Sequence, residues 1–491
     1  MAKQFSILYV TSEIFPFAKV GILADISYSF SLAVRDSGHD LRVMLPKYGV
    51  ISERKNKIHE INRLRDIPIP VGKGSDLATV KSSSLNNPRT KVQAYITTNN
   101  KYFDSKKGFY VSQKTGEDYA DNDERFIFFS RTVIETCMTL GWYPDIIHCN
   151  GWQTAAVPII AKTLFAEKFR KTKFVFTIHD FLNQGIFSES TFDKLNIPES
   201  EKSNVLHNNS FNFQKAAIFY SDFITTLSPT YAEEILGTKD FGGDLNQLLK
   251  KKKDKFKGIG VGIDNWTWNP EIDPMIKEKL GGDYIDYKYA NKKALLESYG
   301  LEYDPKVPAI GIFGNFDDAS GFHLLIESAQ EFMKQDLKLI IFGDGETEIK
   351  KELRKLARTF PGKVGLKIGP DEDTQHQILA GSDFFMIPAK HDPSGLFAMY
   401  ATAYGAVPIT RATGGLADYI APFNAKTKKG NGFSFDEYKS DDLNKTVSEA
   451  IEVFKNKELW MKLNDNVLKT DNSWSKHIPK YDEIYRSMFK D

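Results

Sequence analysis

Cysteine is almost missing from this chain of 491 residues: Cys137 and Cys149 are the only two. Two cysteines make no disulfide framework, so stability must come from packing, and a reducing cytoplasm is the default compartment. Cys149 lies in an apolar stretch and reads as a small buried side chain rather than a nucleophile. Long hydrophobic runs are missing too. None approaches the roughly 20 residues of a membrane span. The apolar run at 5–10 is too short for the core of a signal peptide and reads as a first strand. Charge of one sign is also scarce, with 65 Lys and Arg against 64 Asp and Glu, a net of +1. No overall field points to nucleic acid or to an anionic membrane. The densest basic run, Lys250 to Lys253 with Lys255 and Lys257, reads as a solvated face. His376 and His391 have no partners at metal-ligand spacing, so neither a metal nor another cofactor is expected.

What the chain does have is ordinary globular composition, 41% hydrophobic and 26% charged, over a length that exceeds one hydrophobic core. Short apolar runs at 5–10, 40–44, 92–96, 146–148, 174–178 and 223–227 read as buried strands. Amphipathic patterns at 24–37, 123–140 and 153–169 lie between several of them. A second set follows, with strands at 309–313, 337–342, 364–367 and 384–387. Helical patterns at 321–335, 346–359, 374–380 and 396–404 separate these. Strand, helix, strand is the grammar of a parallel sheet covered on both faces. The pattern predicts an α/β protein of two doubly wound domains, 1–265 and 306–470, facing across a cleft. A connection at 266–305 joins them, and 471–491 forms a last helix anchored by Trp474, Tyr481 and Tyr485. Ligands are expected at the carboxyl ends of the strands.

Two glycine-bearing turns suit an anion. Lys19-Val20-Gly21-Ile22-Leu23-Ala24-Asp25 follows the first strand, and Thr413-Gly414-Gly415-Leu416-Ala417-Asp418 lies near the other end. Unpaired N–H groups and the dipole at a helix start favour negative charge, and glycine allows close backbone approach. Alone, the second turn is no more than a loop glycine pair. Gly258-Ile259-Gly260-Val261-Gly262 matches a dinucleotide loop only by glycine count and lacks a following helix. Ser394-Gly395 is not a nucleophile elbow.

The turns do not stand alone. Asp121-Asn122-Asp123-Glu124-Arg125-Phe126, Phe176-Thr177-Ile178-His179, Gln184-Gly185-Ile186-Phe187, Leu227-Ser228-Pro229-Thr230-Tyr231-Ala232, Gly262-Ile263-Asp264, Trp268-Asn269-Pro270 and Ala380-Gly381-Ser382-Asp383 occur with them, in the order and near the spacing of bacterial glycogen synthases. The chain thus resembles the glycogen and starch synthase family from about residue 5 to about residue 485. The resemblance implies the GT-B architecture. It also implies retaining transfer of glucose from ADP-glucose to the 4-hydroxyl of an α-glucan, without a metal. Sugar nucleotide and α-glucan would be the partners; the oligomeric state is left open. Protein cations and backbone dipoles must then stabilise the departing diphosphate.

Against that resemblance several reactive positions differ. The family's phosphate-gripping arginine and lysine correspond to Asn315 and Ser320, with Asp317 and Asp318 between them. His-x-His-Asp-Trp corresponds to His148-Cys149-Asn150-Gly151-Trp152, so Asn150 holds a place near the sugar without being able to titrate. Glu-Pro-x-Gly-Leu corresponds to Asp392-Pro393-Ser394-Gly395-Leu396, which withdraws the donor-sugar carboxylate by one methylene. Ile22 replaces a glycine, which is disfavoured if that turn needs positive φ. Lys19, Gly21, Asp25, His179, Thr413, Gly414 and Gly415 keep the family pattern. His179 is read either as a sugar contact or as a structural strand-end histidine. Three readings follow: a working glucan synthase, an impaired relative that binds glucan or nucleotide as a regulatory partner, and a GT-B enzyme with another donor. The substitutions fall on reactive positions while Gly, Pro and Trp of the fold persist, which favours impaired turnover.

Overall fold

The parallel strands form because their side chains are apolar on both faces, and β-branched and aromatic residues suit such positions. In the computed structural model, which describes residues 3–88, 90–238, 241 and 243–490, Ile146–Asn150 is buried along its whole length and Lys173–Ile178 at all but its first residue. The chain divides into two compact units. One comprises Met1–Leu227, Ala232–Val261 and Trp474–Asp491, the other Ser228–Tyr231 and Gly262–Ser473.

The sheet of the first unit runs Phe256–Gly258, Phe223–Thr226, Lys173–Ile178, Ile146–Asn150, Ser6–Val10, Asp40–Pro46, Lys91–Thr98, Gly74–Asn86, His59–Glu60, with Ile67–Val71 also paired to Gly74–Asn86. The first seven are parallel. The flank beyond them is antiparallel, which apolar periodicity did not anticipate. Its hairpin turns through Gly72-Lys73, and Gly72 takes φ +56°, the left-handed geometry that two-residue turns demand.

The last helix, Ile478–Ser487, belongs to this first unit. A buried polar chain fixes it there. Tyr485 Oη lies 2.8 Å from His148 Nδ1, His148 Nε2 lies 2.6 Å from Thr177 Oγ1, and Thr177 lies 2.7 Å from Thr225. Tyr481 packs its ring edge-on to Phe30 at 4.8 Å, and Trp474, Tyr481 and Tyr485 are all buried, as anchors should be.

The second unit holds six parallel strands in the order Val364–Ile368, Lys338–Gly345, Ala309–Phe316, Phe384–Ile387, Val407–Arg411, Phe433–Phe435. The segment 266–305 contains a full helix, Tyr284–Ser298, that packs on Glu372–Gly381. A Cβ on Gly381 would meet Leu295 and the carbonyl of Asn291, so glycine sets that close approach. Buried Lys292 pairs with buried Asp383 at 2.7 Å and donates to Val307 O, while Asp383 also accepts from Ala309 N. His376, a metal candidate by type only, is stacked on Trp268 and bonded to Asp273. Among the described residues no three His, Cys, Asp or Glu side chains converge to hold a metal, and no helix is long and apolar enough to cross a membrane.

Removing one partner of a buried pair leaves an uncompensated charge. Lys292→Met should therefore lower the unfolding free energy by about 3–5 kcal/mol. Urea denaturation checks this; a loss below about 1 kcal/mol would mean that Asp383 finds other compensation.

Candidate functional site

In each unit the turns that carry site residues follow the carboxyl ends of parallel strands. In the first unit the turn after Ser6–Val10 leads into helix Ile22–Asp36. Gly21 precedes this helix in extended backbone, and Ile22 is its first residue. Ile22 has no positive φ, so the strain expected of isoleucine in this turn is not there. A carboxylate from within the protein already occupies the turn. Buried Glu13 Oε2 accepts from Val20 N at 2.7 Å and Gly21 N at 3.1 Å, while Glu13 Oε1 accepts from Tyr110 Oη at 2.6 Å. Burial pushes the Glu13 carboxyl above its ordinary range. Lys19, the cation expected to face the donor, pairs with Asp25 at 3.0 Å.

Asn150 and His179 come together. Asn150 Oδ1 accepts from Tyr9 Oη at 3.0 Å and lies 3.0 Å from His179 Nε2. Its Nδ2 donates to Val10 O at 3.1 Å and His148 O at 3.3 Å, so its amide hydrogens are committed to backbone. That orientation makes Nε2 the protonated nitrogen of His179. Its Nδ1 lone pair then has no partner among the described residues. The His148 and His179 rings both border a small cavity of about 10 Å³, room for one water. Burial pushes the pKa of His148 and of His179 down to about 3. His148 is thereby structural: both ring nitrogens are engaged in the chain that holds the last helix.

In the second unit the loop after Ala309–Phe316, the loop after Phe384–Ile387 and the turn after Val407–Arg411 lie against one another. Gly321 has φ +82°, and a Cβ there would run into Pro388 O. Lys390 N donates to Ala319 O at 2.8 Å, and Lys390 Nζ pairs with Asp318 at 2.8 Å. Asp318 is held below the usual carboxylate range by that bond. Asp317 accepts from Ser320 N at 2.8 Å and closes the loop on itself. Asn315, at the end of its strand, is exposed and Ser320 half-buried, and the charged side chains between them are the two carboxylates Asp317 and Asp318.

Asp392 Oδ1 accepts from Ser394 N at 3.0 Å and Gly395 N at 2.8 Å, at the start of helix Leu396–Ala403. This short carboxylate closes the turn that leads into the helix, and burial raises its pKa. Its backbone carbonyl accepts from Gly415 N at 2.9 Å. A Cβ on Gly414 would strike that same carbonyl, and one on Gly415 would strike Ser394. The glycine pair is thus required by loop-on-loop packing, and the Gly415 N–H is used within the protein. Thr413 is buried and begins the short helix Gly414–Tyr419.

Reasoning from motifs missed Glu13, Lys390 and Arg411. Arg411 donates to Lys390 O at 2.7 Å and Asp436 O at 3.1 Å, tying the strand end to the neighbouring loop. The available signal was position: an acid three residues past the first strand, and cations two residues before Asp392 and two before Thr413.

The starch synthase catalytic domain profile matches residues 6–251, and that of glycosyl transferases group 1 matches 300–467. The glycogen synthase of Chlorobaculum parvum is 36% identical over 488 residues, 99% of each chain. That of Clostridioides difficile is 36% identical over 491 residues, covering 98% of this chain and 99% of the relative. The catalytic domain of Arabidopsis thaliana starch synthase IV, solved bound to ADP and acarbose, superposes with TM-score 0.88 at 27% identity, covering 99% of both.

Two predictions follow from these bonds. Free imidazole titrates near 6.5 and the two buried rings near 3, so between those values the unfolded chain binds more protons. Stability should fall as pH drops through that window, and His179→Gln should flatten the fall; an unchanged slope of urea midpoint against pH would refute it. Asp392→Ala should cost about 1 kcal/mol by leaving the Ser394 and Gly395 N–H groups without their acceptor, whereas Asp392→Asn, which keeps an acceptor, should cost less.

Proposed function

The chain belongs to the glycogen and starch synthase family, with the two Rossmann-like domains of the GT-B architecture, and from that premise we propose that it is an α-glucan-biosynthesis protein with strongly slowed glucosyl transfer. Its ligands on this reading are a sugar nucleotide, ADP-glucose by family chemistry, and an α-glucan. In the family reaction the bond from glucose C1 to the diphosphate oxygen breaks. A bond from C1 to the glucan 4-oxygen forms on the same face, and the hydroxyl proton leaves. The rate rests on positive charge where the diphosphate departs.

One observation carries the proposal. The loop at 315–320 offers Asn315, Asp317, Asp318 and Ser320 where the family pattern supplies an arginine and a lysine. Lys390 is already paired with Asp318, and Asp392 spends one oxygen on the Ser394 and Gly395 N–H groups. Losing one such stabiliser typically costs on the order of 10²–10³ in rate. On this reading Lys19, Gly21 and the 413–415 turn face the donor, and His179, through its Nδ1 lone pair, accepts from a sugar hydroxyl. Asn150 acts only through His179, by fixing its tautomer.

A donor assay tests this. The protein, ADP-glucose or UDP-glucose and a maltooligosaccharide should release nucleoside diphosphate barely faster than Asp392→Ala does. Calorimetry with the maltooligosaccharide alone should still show binding. Asn315→Arg with Ser320→Lys should tighten donor binding and raise turnover. Brisk release that Asp392→Ala abolishes would overturn the proposal.

A further inference from the structure

At its antiparallel margin the first unit's sheet carries a row of polar side chains that line a surface concavity. Lys91–Thr98 begins with Lys91 and Gln93 exposed and Val92 and Ala94 buried. The register sets Arg42 beside Gln93 and Gln93 beside Ser84. Tyr95 and Ser82 follow on the same face, with His59 opposite Ser82. A doubly covered parallel sheet would carry apolar side chains there. Instead this polar floor lies under a concavity of about 800 Å³. It sits at the strand starts, Asp40 and Lys91, whereas the turns bearing Lys19, Asn150 and His179 follow strand ends.

The lining is cationic. Arg35, Arg42, Lys57 and Lys91 contribute four positive charges, and Asp40 is its one carboxylate among the described residues. Asp40 bonds Arg35 at 2.7 Å and Arg42 at 3.4 Å, so its charge is shared between them. Lys57 and Lys91 form no ion pair among the described residues. Arg42 is fixed in place: its guanidinium lies 4.2 Å over the Trp142 ring, and its Nη1 donates to Tyr95 Oη at 3.0 Å. A planar guanidinium held by stacking loses little freedom when an oxyanion docks on it. Around it, Ser82 and Gln93 present hydroxyl and amide groups of the kind that pair with a ligand's own hydroxyls.

We propose that this face binds a small phosphorylated polyol of the sugar-phosphate class. Arg42 and Lys91 take the phosphate, and the serine and glutamine row takes the hydroxyls. The site is separate from the donor and acceptor positions and stands whether or not the chain turns over glucose.

Titration calorimetry on the full-length protein at low ionic strength tests it, with glucose-6-phosphate, glucose-1-phosphate, inorganic phosphate and glucose as probes. At least one sugar phosphate should bind, about tenfold or more tighter than inorganic phosphate, and glucose should give no signal at this site. Lys91→Gln, a change at an exposed position, should weaken binding by about tenfold, and Arg42→Gln by more. Asn315→Arg with Ser320→Lys should leave it unchanged, which separates this face from the donor site. An unaltered thermal midpoint for Lys91→Gln confirms the fold. Four outcomes overturn the proposal: no binding of any phosphate, equal binding of inorganic phosphate, equal binding of glucose, or affinity insensitive to both Lys91→Gln and Arg42→Gln.

Discussion

The seating of the 392–395 turn directly on the 413–415 turn governs the second unit's site. Backbone meets backbone there, with Gly415 N–H bonded to Asp392 O and no room for a Cβ on Gly414, Gly415 or Gly395. Such contact leaves each loop one arrangement, because buried backbone groups must find partners. It fixes the path of Asp392, and with Gly321 under Pro388 it fixes the path of the 316–320 loop as well. The polar chemistry of the site is what those paths leave over. Asp392 points one oxygen back at its own helix, and Lys390 reaches Asp318.

The first unit shows the same economy in another form. Polar groups near the strand ends are satisfied mostly by one another: Glu13 by the 20–21 backbone and Tyr110, Asn150 by Tyr9, His179 and two carbonyls. An internal carboxylate at the start of helix Ile22–Asp36 weakens that turn as an anion site, since it places negative charge where a phosphate would need donors. On the proposed reading, the absence of positive charge at 315 and 320 in one unit and the filled turn in the other act in the same direction, both reducing attraction for a diphosphate.

Much of the architecture was legible because buried parallel strands are short apolar runs and their helices are amphipathic. The runs at 146–148, 174–178 and 384–387 lie within strands. The antiparallel flank escaped because Ile67–Val71 carries two prolines and Gly74–Asn86 is rich in serine. Such edge strands lack the apolar signature of a core strand. The helix Tyr284–Ser298 was hidden in an acidic, tyrosine-bearing segment because it buries lysines and tyrosines through specific polar partners rather than an aliphatic stripe. Lys19, His179 and Asp392 were legible as residues, but what they bond was not: His179 meets Asn150 from another strand end, and Lys19 and Asp392 turn back on Asp25 and on the 394–395 backbone, which motif spacing does not show.

Sequence by itself determined the family and the α/β class, because apolar periodicity and co-linear motifs are properties of order along the chain. Tertiary structure decided what each polar group is free to do. That Glu13 fills a helix start, that the Asp392 carbonyl is taken by Gly415, and that Arg42 stands pre-oriented on Trp142 over an open polar face all depend on hydrogen bonds and ring contacts across loops and strands. Such partners are chosen by close packing in three dimensions, which spacing along a chain does not encode.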